Sequence, residues 1–203
     1  MPFPSDSKEI SKLRKKITKD PYDTDARNDL GVLLLQEGKA STAYGVFRDA
    51  IKINPTDSDL WCNLGIALKE QGNVEAATMA IKRAIKLCPD IASYYINLTN
   101  IYFSEKKFDD GIAILDGFLG GKYDDPAIRI NLALAYKGKE LYGLAIDQLE
   151  IAEQLTSDPN EKDLVQINKY AKNLIKEIKV LRYTSAPDTK VSIKQITKKA
   201  MEQ

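Results

Sequence analysis

The feature that constrains this chain most is a recurrence at 34 residues. Ser58 to Pro89 reads SDLWCNLGIALKEQGNVEAATMAIKRAIKLCP, with Trp61, Leu64, Gly65, Leu68, Ala77, Ile81, Ala84 and Pro89 at set intervals. One period earlier stand Arg27, Leu30, Gly31, Leu34, Ala43, Phe47, Ala50 and Pro55. One period later stand Tyr95, Leu98, Thr99, Tyr102, Gly111, Leu115 and Phe118, and a further period on Arg129, Leu132, Ala133, Tyr136, Ala145, Leu149 and Ala152. A chain with such a period stacks copies of one small unit, each burying its apolar face only against its neighbours.

Each unit reads as a pair of helices. Thr24 is the expected N-cap of the first full pair. Gly38 and Gly72 break the pair in the middle, and Pro55 and Pro89 end it, since the residue before a proline disfavours helix. Gly31 and Gly65 on the first helix, with Ala43 and Ala77 on the second, are small so that two helix axes can cross closely. Leu30, Leu34 and Phe47 fill the space beside them, each burial contributing roughly 1.5–3 kcal/mol. The pattern predicts helices over 6–18, 24–37, 40–53, 58–71, 74–87, 92–105, 108–119, 126–137, 141–155 and 160–182. The third unit departs from the others. Lys106 and Lys107 replace the glycine turn, Tyr123 replaces the exit proline, and Phe118 stands where the other units have alanine. A phenylalanine in an alanine niche is expected to overpack and disturb the regularity there.

Composition narrows the function classes. The 203 residues include 30 Lys and Arg against 29 Asp and Glu, so a whole-protein basic surface for nucleic acid is not expected. Histidine is absent, which removes the commonest general base and metal ligand. Cys62 and Cys88 have no metal-type spacing, and Cys62 lacks a histidine to activate it as a nucleophile. No catalytic residue, metal site or cofactor is expected. The N-terminus has no apolar run suited to a signal peptide, and no stretch approaches the ~20 apolar residues of a membrane span. The expected location is cytoplasmic.

In one unit, Trp61, Leu64-Gly65, Leu68, Ala77, Ile81, Ala84 and Pro89 resemble the tetratricopeptide repeat (TPR) signature, and the spacing holds for four units. The resemblance implies an all-α fold, a TPR α-solenoid in which helix–turn–helix repeats wind into a right-handed superhelix. The organisation expected from it is an N-terminal capping helix in 1–23, four TPR units over 24–159, a C-terminal capping helix in 160–183 and a basic tail, without fixed structure, over 184–203. Arg27 and Arg129 in the aromatic position, and Thr99 and Ala133 in place of glycine, depart from the signature.

Such arrays usually bind peptides or partner proteins in a concave groove lined by the first helix of each pair. Asn63, Asn97 and Asn131 recur at the repeat interval and resemble the asparagine ladder of the O-GlcNAc transferase superhelix. An asparagine amide offers one acceptor and two donors, the complement of a peptide backbone unit. The same helices would present Asn28, Val32, Ile66, Asn100, Phe103 and Leu134 to the groove. Val32 and Ser93 stand where a carboxylate clamp would need polar or basic groups, so an extended or apolar segment is the better expected ligand. These readings predict a scaffold, adaptor or chaperone that holds a partner protein. The alternative is a self-assembling structural protein, a homo-oligomer whose groove accepts a segment of another copy. The tail over 189–203, with Val191, Ile193 and Ile196 on one edge and Lys190, Lys194, Lys198 and Lys199 beside them, is the segment expected to serve in that case.

Charge is uneven along the chain. Residues 1–22 carry 6 basic and 3 acidic side chains, residues 90–157 carry 6 and 11, and residues 158–203 carry 10 and 6. The middle is acidic and the ends are basic.

Overall fold

The structure is a computed structural model and describes residues 7–120, 124–158 and 162–184. The described residues hold ten helices and no strand. In order they are α1 (Lys8–Lys19), α2 (Thr24–Gln36), α3 (Ala40–Ile53), α4 (Ser58–Glu70), α5 (Val74–Leu87), α6 (Ala92–Ser104), α7 (Phe108–Leu119), α8 (Pro126–Gly138), α9 (Tyr142–Leu155) and α10 (Lys162–Thr184). The predicted helices stand within about two residues of these bounds. The chain divides into two compact units, 1–101 and 102–203. The basic tail beyond Thr184 and the exit segment containing Tyr123 lie outside the described residues.

The first helix of a pair starts at an aspartate. Asp23 accepts from the Ala26 N–H at 2.8 Å, Asp57 from Asp59 and Leu60 at 3.0 and 3.2 Å, and Asp125 from Ala127 and Ile128 at 2.8 and 3.0 Å. Each satisfies N–H groups that have no partner inside the helix. Thr24 is thus the first helical residue of α2, and its predecessor is the cap. The period places Ile91 at the same position before α6, where it is 41% exposed and its side chain offers no acceptor, although its carbonyl accepts from the Tyr94 N–H at 3.1 Å.

The inner turns repeat more faithfully than their sequences. Gly38 and Gly72 adopt φ of 72° and 79°, and Lys106 and Glu140 at the equivalent positions adopt 60° and 62°. After each, the next backbone N–H reaches back five residues. Lys39 bonds the Leu34 carbonyl at 2.8 Å, and Asn73, Lys107 and Leu141 bond those of Leu68, Tyr102 and Tyr136 at 2.9 Å. This is the Schellman closure of a helix, which a left-handed residue makes possible.

In the first unit the helix crossings are as tight as the small residues require. A Cβ on Gly31 would lie 2.4 Å from the Phe47 ring, and one on Gly65 would lie 2.5 Å from Ile81 Cγ1. Leu30, Leu34, Ala43, Phe47 and Ala50 are buried around the first crossing, and Leu64, Leu68, Ala77, Ile81 and Ala84 around the second. Helix α1 packs on α2 and buries Ile10 completely. Arg27 shows why the aromatic position tolerates it. Its guanidinium donates to the Pro21 carbonyl at 2.9 and 3.3 Å, and one period later Trp61 Nε1 donates to the Pro55 carbonyl at 2.9 Å. In these two repeats a planar side chain with an N–H makes the same tie, and either residue supplies it.

In the second unit α8, α9 and α10 share one core. Ala133, Ala145, Leu149, Ala152, Ala171 and Ile178 are fully buried in it. Phe118 differs in burial from the alanines that share its register. Ala50, Ala84 and Ala152 are fully buried, whereas Phe118 is only half-buried, so its ring is not enclosed in the alanine niche.

Candidate functional site

The candidate residues of the first unit lie on α2, α4 and the start of α6. Asn28 and Val32 are four residues apart, Asn63 and Ile66 three, and Asn97 and Asn100 three, so each pair shares a helix face. Asn28, Val32, Asn63, Ile66 and Asn97 are half-buried and Asn100 is exposed. Helices α2 and α4 touch, and Asn63 Nδ2 donates to Asn28 Oδ1 at 2.8 Å across that contact. Asn97 Nδ2 donates to Cys62 Sγ at 3.3 Å. The structure therefore brings Asn28 and Asn63 together and ties Asn97 to α4. These bonds use one N–H of Asn63 and one acceptor site of Asn28, leaving the Asn63 oxygen and the Asn28 N–H groups unspent.

Cys62 sits behind this face. Burial first, and the Asp59 charge in addition, push its thiol up to about 11, while the Asn97 amide pulls the other way. The thiol stays protonated across the ordinary pH range and has no base beside it. Next to it is a polar contact that sequence reasoning missed. The Tyr94 hydroxyl lies 2.5 Å from Asp59 Oδ1 and 2.9 Å from Ser58 Oγ, with the ring 3% exposed. Burial, then the bond to the carboxylate, raises this phenol well above the usual tyrosine range. Tyr94 thus holds α6 to α4. The signal in the sequence is slight: Ala26, Leu60, Tyr94 and Ile128 occupy one buried register, and only the tyrosine brings a hydroxyl that needs a partner.

The candidate residues of the second unit are engaged with their own chain. The Phe103 ring lies 5.7 Å from that of Phe108 and covers Gly111, where an added Cβ would clash with it at 2.2 Å. Asn131 Nδ2 donates to the Ala127 carbonyl of its own helix at 2.8 Å. Leu134 packs, half-buried, against the core that α10 helps to close. Lys137 on the same helix pairs with Glu177 of α10 at 2.7 Å. Asn168 fixes α10 further, donating to the Glu153 carbonyl at 3.0 Å and to Thr156 Oγ1 at 3.1 Å.

Among the described residues no group of side chains could hold a metal ion, and no helix is long and apolar enough to cross a membrane. Both cysteines are free thiols.

A tetratricopeptide-repeat family profile matches residues 46–78. No curated protein matches the sequence. Solved structures do. The thermophilic TPR protein TTC0263 of Thermus thermophilus superposes with a TM-score of 0.64 at 22% identity, over 81% of this chain and 89% of that one. MamA gives 0.60 at 24% identity, over 71% and 85%. YrrB, described as a TPR protein with an unusual peptide-binding site, gives 0.58 at 12% identity, over 96% and 100%. The helix pairs, their 34-residue register and these likenesses together make the chain an all-α protein of the tetratricopeptide-repeat fold.

Proposed function

We propose that this chain is a non-catalytic protein-interaction module, which holds an extended segment of a partner protein along the α2–α4–α6 face of its first unit. The observation that carries this is the composition of that face. Val32 and Ile66 are half-buried apolar side chains beside amides that still have donors and an acceptor to offer. An extended backbone presents an N–H and a carbonyl at each residue, and those amides complement it. In this reading Asn28, Val32, Asn63, Ile66, Asn97 and Asn100 contact the partner. Phe103, Asn131 and Leu134 shape the protein more than they meet a ligand. The four helix pairs over 24–159 are the binding body, α1 closes α2, and α10 closes α8 and α9. An adaptor or chaperone role in the cytoplasm fits the two unpaired thiols, one buried and one exposed. Nucleic acid is a poorer partner for a chain of net charge +1.

The test is selection of peptides from a displayed random library on the full chain, followed by titration against Val32→Asp/Ile66→Asp. Selected peptides should lose at least about tenfold in affinity for the double variant, the equivalent of about 1.4 kcal/mol. Circular dichroism should show the variant folded. Peptides that bind the folded variant at full strength would remove the face from consideration.

A further inference from the structure

The second helix of each pair, α3, α5, α7 and α9, carries charge in a pattern that the binding face does not use. At one equivalent position in the four helices stand Arg48, Lys82, Asp116 and Glu150, and all four are exposed. Four residues on, Lys52 and Lys86 are exposed, and their counterparts are Gly120 and Gln154. Helices α3 and α5 together hold five basic and two acidic side chains. Helices α7 and α9 hold six acidic side chains and no basic one. The first two helices belong to the first unit and the last two to the second. A register that is positive in one unit and negative in the other is thus written into one repeat.

Intramolecular partners neutralise part of this charge. Asp49 lies 2.8 Å from Lys52 and 3.6 Å from Arg48, which also stands over the Tyr44 ring at 5.8 Å. Lys139 pairs with Asp109, and Lys172 of α10 lies 3.4 Å from Glu153. What remains is unpaired. Among the described residues, Lys82, Arg83 and Lys86 of α5 have no salt-bridge partner, and neither do Asp116 of α7 and Asp147 and Glu150 of α9. Met79, 72% exposed, stands one turn from Lys82 and Arg83 on α5 and adds an apolar contact to the basic side.

We infer that the α5 side of the first unit, centred on Lys82 and Lys86, docks on the acidic α7–α9 side of the second unit in another copy of this chain. The occupant is a second copy because the complementary charges occupy the same helical register in the same sequence. Opposite potentials steer the two faces together and set which face meets which, while like faces repel. This surface lies on other helices than the proposed binding face, so either can fail without the other.

Sedimentation velocity of the full chain at about 0.02 M and about 0.5 M salt tests this, since the screening length falls from roughly 20 Å to about 4 Å over that range. The wild-type chain should self-associate with rising concentration at low salt and dissociate at high salt. Lys82→Glu/Lys86→Glu makes both faces acidic, and Asp116→Lys/Glu150→Lys puts lysine at the shared register position of α7 and α9, so that this position is basic in all four helices. Each variant alone should lose self-association at least about tenfold. Mixed one to one at low salt, the two should associate again, which misfolded chains would not do. A wild-type chain that stays monomeric at high micromolar concentration in low salt overturns the inference, as does a mixture that fails to associate. Wild-type binding to phosphatidylserine vesicles without self-association also overturns it, and gives the basic side to a membrane surface.

Discussion

The inner turns of the two units make the same structure from different residues. In the first unit the left-handed position is glycine, Gly38 and Gly72, and in the second it is Lys106 and Glu140. A left-handed residue with a side chain costs about 1–2 kcal/mol. The second unit makes the turn in spite of that cost, with the same reach-back bonds to Tyr102 and Tyr136 that Leu34 and Leu68 accept in the first. Each such bond contributes about 0.5–1.5 kcal/mol. Both flanking helices must also be in place to bury their faces. The difference teaches that the helix register specifies the turn and that glycine only lowers its cost.

The largest effect that would break this comparison lies at the crossings. Gly65→Leu should destabilise the chain by about 1–3 kcal/mol or more, because the new side chain meets Ile81 and cannot displace the Ala77 carbonyl 3.1 Å away. Ala133→Gly, at the equivalent crossing of the second unit, should cost only about 1 kcal/mol in helix propensity. Urea unfolding compares the two, and a wild-type midpoint for Gly65→Leu would mean the first crossing can open without cost.

The next effect tests the turns directly. Gly72→Lys should destabilise by about 1 kcal/mol, and Lys106→Gly should stabilise by up to about 1 kcal/mol. The left-handed penalty of about 1–2 kcal/mol is exchanged against glycine's extra freedom when unfolded, about 0.5–1 kcal/mol. If Lys106→Gly lowers stability instead, the lysine side chain does something in the second unit that the first unit lacks.

Smaller still is the tie to the proline carbonyl. Trp61→Phe removes one exposed hydrogen bond and Arg27→Met the exposed pair to a single carbonyl, so each should cost near the low end of about 0.5–1.5 kcal/mol. Arg27→Trp should be close to neutral in thermal unfolding. A cost for Arg27→Trp as large as that for Arg27→Met would show that the two side chains are not equivalent there.

The smallest effect is one of pH. The Ala26 N–H first, and Lys16 next at 2.9 Å, hold the Asp23 carboxyl below its ordinary value. A lowered acid contributes stability that is complete above the unfolded value and is lost as pH falls through the folded one. Asp23→Asn should therefore flatten the acid side of the stability profile slightly below about pH 4 and leave the neutral side's slope unchanged. A steeper acid limb in that variant would contradict the assignment of the cap.

Much of the fold was legible because its causes are local or periodic. The 34-residue interval named the crossings at Gly31 and Gly65 and the breaks at Pro55 and Pro89, and these are where the helices cross and end. The caps were not read: Thr24 was expected to cap the first pair, and the structure gives that role to Asp23, with Asp57 and Asp125 in the same role later in the chain. The candidate site was legible only as a set of positions. Asn63, Asn97 and Asn131 hold one register, yet their amides go to Asn28, to Cys62 and to the Ala127 carbonyl. Register says which face a side chain occupies; its partner depends on what the neighbouring helix offers within about 3 Å.

By itself the sequence determined the helix pairs, their order and the small residues at their crossings, because backbone sterics and side-chain volume act within one or two turns. Tertiary structure decided the rest. It committed Lys106 and Glu140 to the left-handed conformation, left Phe118 half-buried, and set α10 against Leu134 and Lys137. Each of these outcomes depends on contacts with another helix, and a residue's own neighbours in the chain carry no record of them.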